Sequence, residues 1–354
     1  MELINHTIFQ SVIKSFINTK PDATIEVTAL ENGHINSTYK VDIKSKKFND
    51  AFILQRINTK IFKNPEVLIT SMRAVENHLK LKNYPKQIIV PKINNKGVYL
   101  TYDVNGFAWR SLPYINESIS LEKAESPTIA FIAAKTFSEF YSYLWDFDLK
   151  KIKPSIPNFL NFEHRIKSFN DALQNADNNR KEAASDAIKF CKNFYSNVEK
   201  FFYLQKNKLL PIRLIHADPK ISNILFNKSK TKTKAVIDLD TLMAGTILYD
   251  FGDMVRSYTN NRLENDPREK NVFNIETFNA VKEGFLFHLK KKLEKIELNN
   301  LKLAAETVIF IQAIRFLTDY LKGDVYYKIK YPLQNLNRTK NQINLLKMLH
   351  KINQ

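Results

Sequence analysis

Glycine is scarce in this chain, with 7 in 354 residues, and no G-x-G-x-x-G phosphate loop is present. Cysteine is scarcer still. A single Cys191 excludes an internal disulfide framework and fits a reducing cytosol. Its setting, "AIKFCKNFYS", puts it at helical spacing from apolar neighbours, as a core residue rather than a reactive thiol. The first residues, "MELINHTIFQ", lack a basic stretch followed by an apolar one, so they do not read as a signal peptide. No apolar run is long enough to span a bilayer, because "VIFIQAIRFL" is broken by Gln312 and Arg315. A soluble, cytoplasmic protein is expected. Acidic residues are also in deficit, 36 against 54 basic, for a net charge of +18. The lysines are spread along the chain rather than massed in one arm, which argues against a nucleic-acid partner. The excess would still attract an anionic ligand such as a nucleotide.

What is present is enough apolar residue, 44%, for a sizeable core, and length for about two domains. The first hundred residues are β-rich. "TIEVTAL", "STYKVDI", "AFILQRI" and "GVYLTYDV" are β-branched and aromatic with turn residues between them. One helix interrupts them at about residues 65–82, with Pro65 at its first position. From about residue 124 the pattern is helical, in "SPTIAFIAAKTFSEFYSYLWDF", "EAASDAIKFCKNFYSNVEKFFYLQK" and "NLKLAAETVIFIQAIRFLTDYLKGD". The last ends at Lys322 and Gly323, a plausible C-cap. An α+β chain is expected, with a β-rich lobe over 1–115 and a helical lobe over 116–354.

One stretch stands out, "RLIHADPKISNILF", followed by "NKSKTKTK" and "AVIDLD". The second part reads as strand, polar turn, strand. If Phe226 faces Ala235 across that hairpin, Asn223 falls opposite Asp238. An amide oxygen and a carboxylate at one end suit Mg²⁺, which takes few protein ligands and completes its shell with phosphate and water. Asp218, on the loop just before, could accept a proton from an attacking hydroxyl. His216 would brace the loop. Each residue alone reads as an ordinary turn or cap. The spacing of the set, and charges within the β run "IDLD", resist that reading.

"HADPKISN" followed by "VIDLD" resembles the catalytic loop and metal segment of the aminoglycoside phosphotransferase-like kinases, relatives of the protein kinases. "GHINSTYKV", "FILQRIN", "VIDLDTLMAGTILYDFGDMVR" and "IRFLTDYLKGDVYYKIK" are similar in particular to the N-acetylhexosamine 1-kinases. The resemblance implies a two-lobed fold with ATP in the cleft. It makes Asp218 the catalytic base, with His216 bracing the loop. Asn223 and Asp238 become Mg²⁺ ligands, and Asp250 a structural acid. Asp240 is left between a water-mediated metal contact and a pair with Lys or Arg. The turn at Gly33, with Ser37 and Thr38, would cover the triphosphate. Gln55 stands where the relatives carry a phosphate-binding lysine, next to Arg56, and its acidic partner is open between Glu66 and Glu76. Tyr114 and Ile115 would form the hinge that reads the base, whereas Trp109 and Arg110 are left unassigned. For the acceptor, the candidates are His34, Arg256, Arg315 and Asp319, the last two four apart on one helix face.

The expected activity is ATP- and Mg²⁺-dependent phosphorylation of the anomeric C1 hydroxyl of N-acetylglucosamine or N-acetylgalactosamine. The alternatives are a kinase for another small alcohol (choline, homoserine or an aminoglycoside) and a nucleotide-binding pseudokinase.

Overall fold

The computed structural model describes residues 6–17, 23–30, 35–45 and 49–352. Helix α1 (His6–Phe16) precedes strands β1 (Thr24–Leu30), β2 (Ser37–Lys44) and β3 (Asn49–Arg56). Helix α2 (Pro65–Leu81) starts with Pro65 in its first turn, where a missing N–H costs nothing. Strands β4 (Gln87–Ile88), β5 (Thr101–Tyr102), β6 (Ala108–Pro113) and β7 (Ser118–Ile119) follow. Next come α3 (Pro127–Tyr143), α4 (Phe162–Asn175), α5 (Asn178–Ala183) and α6 (Ser185–Lys206). The segment after α6 holds β8 (Arg213–Ile215), β9 (Ile224–Asn227), β10 (Thr233–Val236), β11 (Met243–Gly245) and α7 (Ile247–Tyr258). The chain ends with α8 (Ile275–Leu289), α9 (Lys295–Leu298), α10 (Leu301–Leu321) and α11 (Gln334–His350).

The first sheet has the order β1-β2-β3-β6-β5, with every pair antiparallel. Its two faces differ. Tyr39, Val41, Leu54 and Trp109 pack with Val12 and Ile13 of α1 on the outer face. Thr38, Gln55 and Arg110 share the other face, since each is paired directly across the strands. The segment around "GVYLTYDV" is strand only at Thr101–Tyr102, shorter than its composition suggests. α1 was not anticipated: its amphipathic pattern covers only 11 residues.

A second sheet, β4-β10-β9-β7, joins the lobes, because β4 from the sheet region pairs in parallel with β10. The helical lobe has one large core, in which Cys191 is buried and its thiol is pushed up to about 12 by that burial. The C-cap reading at the end of α10 holds, with Gly323 at φ +88° just after Lys322.

Close helix contact in this lobe depends on glycine. A Cβ on Gly252 of α7 would lie 2.7 Å from Val308 Cγ2 and 2.8 Å from Ala304 O of α10. Gly252→Ala is expected to destabilise the fold by about 1–3 kcal/mol, the usual cost of overpacking a tight core. Chemical denaturation of the two proteins checks this.

Candidate active site

Helix α7 begins with Thr246 as N-cap and Asp250 in the first turn, a favourable place for a carboxylate. Asp250 is fully buried and reaches back to the loop after β8. It accepts hydrogen bonds from the His216 N–H (2.8 Å), the Ala217 N–H (3.0 Å) and the Tyr141 hydroxyl. The loop therefore hangs from α7. Thr241 Oγ1 donates to His216 O and the Tyr258 hydroxyl to Pro219 O, both at 2.7 Å. Ala217 is held at φ +64°, a left-handed conformation that a non-glycine residue adopts only under local constraint.

His216 is buried with its ring edge against Phe137. Its Nδ1 accepts from the Asp218 N–H at 3.3 Å, so Nε2 carries the proton and donates to Ile237 O at 3.0 Å. Burial lowers its affinity for a second proton. His216 thus joins the loop to the strand end that carries Asp238.

Asp218 points into the cleft. Burial alone would raise its pKa, but Lys220 and His216 outweigh that, so it stays below the usual carboxylate range and ionised. Lys220 Nζ lies 3.0 Å from Asp218 Oδ2. The Asn223 amide donates to Asp218 O at 2.8 Å and to its carboxylate at 3.0 Å. No described residue donates to Asn223 Oδ1, which leaves that oxygen for a ligand.

The hairpin register differs by one residue from the sequence expectation. Leu225 faces Ala235 and Ile224 faces Val236, with an irregularity between Thr233 and Ala235. Asn223 therefore stands opposite Ile237, whose N–H it accepts at 2.9 Å. Asp238 comes one residue later, at φ +60°, a left-handed turn that ends the strand. The extra turn still brings Asp238 to the end where Asn223 lies. Asp238 is exposed to solvent, with Asp218, Lys220 and Asp240 near enough for their charges to act on it. Burial and the neighbouring Asp240 raise its carboxyl to about 7. A carboxylate that destabilised, with no protein cation bonded to it, beside a free amide oxygen, fits a hard divalent cation. Among the described residues no group of three or more His, Cys, Asp or Glu could cage a metal, so a cation held here by Asn223 and Asp238 would need further oxygens from a ligand.

Asp240 does not share that role. It is buried and binds Arg110 through two bonds, Nη1 to Oδ1 at 2.7 Å and Nη2 to Oδ2 at 2.8 Å. Arg110 also donates to Gln55 Oε1 at 3.0 and 2.7 Å, and Gln55 donates to Thr38 at 3.0 Å. Asn36 donates to Asp240 at 2.7 Å from the start of β2. Arg56 lies over Phe107, away from this network. Neither acid proposed as partner at this position is there. Glu76 pairs with Arg73 and Lys80, and Glu66 is exposed in the first turn of α2. The helix presents Met72 instead, its Sδ 3.8 Å from Arg110 Nη1.

After β6, Ile115 is buried with Ile89 and Ala235, against Leu112, Leu225 and Ile237. Tyr114 lies under Lys40 Nζ at 4.6 Å, and Lys40 pairs with Asp42. Ser37 faces Arg56 across the sheet. Gly33 and His34 lie outside the described residues.

The acceptor candidates separate. Arg256 is tied to Asp253 at 2.6 Å. Arg315 and Asp319 form no ion pair. Asp319 accepts from the Tyr326 N–H (2.8 Å), the Tyr327 N–H (2.9 Å) and Asn335 (2.9 Å), and so braces the turn after α10. Spacing along one helix face gave no sign of those backbone donors. Arg315 instead stacks against Phe159 and Tyr327 and bonds Gln312 at 2.9 Å. Residues missed from sequence are Lys220, Asn36, Tyr141 and the bonded role of Arg110. A cation two residues after Asp218 was visible, but nothing local marks a lone strand Arg or turn Asn.

The profile of the phosphotransferase enzyme family (APH) matches residues 26–270. The chain belongs to that family. Solved structures share its two-lobed kinase-like fold at low identity. Spectinomycin phosphotransferase, solved with ADP and spectinomycin, is 12% identical over 92% of this chain and 93% of its own, with a TM-score of 0.58. A microcompartment-associated aminopropanol kinase is 13% identical over 98% and 97%, with a TM-score of 0.58. An ethanolamine kinase of Plasmodium vivax is 16% identical over 95% and 84%, with a TM-score of 0.53.

The Arg110–Asp240 pair gives a direct test. Arg110→Met leaves a buried carboxylate without its cation and is expected to cost about 3–5 kcal/mol. Adding Asp240→Leu should recover much of that loss. Melting curves of the single and double variants decide it.

Proposed function

We propose that this phosphotransferase moves the γ-phosphoryl of ATP to a hydroxyl of a small polyhydroxylated acceptor. The observation that carries this reading is the convergence of an ionised Asp218, a free Asn223 oxygen and the open Asp238 carboxylate at one end of the cleft. Asp218 would accept the proton of the attacking hydroxyl, held for that purpose by the Asp250-braced loop. Asn223 and Asp238 would hold Mg²⁺, which when bound neutralises phosphate charge. Lys220, beside Asp218, would face the transferred phosphoryl. The apolar patch of Ile115, Leu225 and Ile237 would take the base, with backbone groups at Tyr114 and Ile115 along its edge. Gln55 and Thr38 would face the phosphates. The nucleotide in the spectinomycin phosphotransferase structure supports an adenine nucleotide as donor. This reading puts the lobe boundary at the hinge after residue 115, and a cytoplasmic setting suits its ATP requirement. Among the described residues no helix is long and apolar enough to cross a membrane.

The acceptor we favour is the C1 hydroxyl of an N-acetylhexosamine. Besides the sequence resemblance, Arg315, with no carboxylate partner among the described residues, supports a neutral or anionic sugar over an amine. Ethanolamine and aminopropanol are cations at neutral pH, and guanidinium groups would repel them.

Two substitutions test the centre. Asp218→Asn should bind Mg²⁺-ATP almost normally and lose turnover by about 10²–10⁴-fold. Asp238→Ala should lose the Mg²⁺ dependence of ATP binding in calorimetric titration. Near-normal turnover in the first, or unchanged dependence in the second, would refute these roles.

A further inference from the structure

Between α4 and α10 lies a cavity of about 250 Å³, lined among others by Arg165, Arg315, Asp319, Lys322 and Tyr327. Its charges do not balance. Three cations line it against one carboxylate, and that carboxylate already accepts two hydrogen bonds from the turn beyond α10 and one from Asn335 of α11. Among the described residues, neither Arg165 nor Arg315 has a carboxylate within salt-bridge distance. Arg165 donates from Nη2 to Phe159 O at 3.4 Å, and its buried Nε has no partner at all. Burial and the nearby charge of Arg315 both lower the proton affinity of Arg165, as expected for like charges crowded together. Such groups are costly unless something anionic comes between them.

Their geometry is fixed beforehand. The Arg315 guanidinium sits between the rings of Phe159 (5.6 Å) and Tyr327 (5.8 Å). An arginine stacked in this way is pre-organised for planar recognition of a carboxylate or phosphate, and here Nη1 is already engaged by Gln312 at 2.9 Å. A chain of contacts leads from the cavity toward the loop that carries Asp218. Phe159 packs on Tyr249 with ring centroids 6.4 Å apart. Tyr249 and Asp253 are one turn apart on α7, about 6 Å along its axis. The charge of Asp253 reaches both His216 and Lys220.

We propose that Arg165 and Arg315 form a subsite for an anionic substituent, carboxylate or phosphate, carried by the acceptor sugar. This rests on the acceptor reading above and narrows it to a charged hexose derivative. Lys322 adds long-range attraction, and the aromatic walls exclude water from the pair.

The test measures binding without ATP, so it does not depend on catalysis. The full chain is titrated calorimetrically with N-acetylglucosamine, with its 6-phosphate and with its 6-carboxylate, N-acetylglucosaminuronic acid. At least one anionic sugar is expected to bind tenfold or more tightly than the neutral one. The stronger of the two identifies the charged group. Arg165→Gln and Arg315→Gln should each erase most of that preference, while melting curves and Mg²⁺-ATP titration verify the fold. Equal affinity for all three sugars overturns the proposal, and so does a preference that survives both substitutions in folded protein. Tight anionic binding without any phosphoryl transfer would leave the subsite standing and sink the kinase reading. Turnover of neutral sugar with no anionic preference would do the reverse.

Discussion

The site depends on one carboxylate. Asp250, fixed in the first turn of α7, accepts from two consecutive backbone N–H groups of the loop that carries Asp218. Those donors would otherwise be buried without partners, and the left-handed Ala217 would be held only through its neighbours His216 and Pro219. Because α7 packs against α10 through Gly252, the loop inherits the rigidity of the helical core. His216 carries that order across to the strand end that presents Asp238.

The cleft is divided by charge. Asp218, Asp238 and the Asn223 oxygen gather at the end of the hairpin, a surface suited to a cation. Arg165 and Arg315 stand unneutralised on the far side of Tyr249, a surface suited to an anion. Arg256 and Asp253 cancel one another between them. A ligand that reached both surfaces would meet opposite potentials at its two ends and be oriented by them.

Much of this was legible in the chain. The strands β1 to β3, the proline-started α2 and the glycine-ended α10 follow local rules that need no tertiary knowledge. So does the clustering of His216, Asp218, Asn223 and Asp238, since short sequence separation already places them together. The hairpin register was off by one, because an irregularity near Thr233 cannot be read from a polar turn. The acidic partner sought on α2 was wrong for a deeper reason. Arg110 and Asp240 are 130 positions apart, and only folding makes them neighbours. Asp319 misled in the opposite sense: its helix face was right, but its partners are backbone N–H groups several residues beyond that face.

Asp240 also has a mechanical consequence. It belongs to the segment after the catalytic hairpin, yet it holds Arg110 of β6 and Asn36 at the entry to β2 at the same time. Any rotation of the sheet away from the helices must release these bonds together. Asp240 is therefore a latch between the sheet and the segment that follows the hairpin.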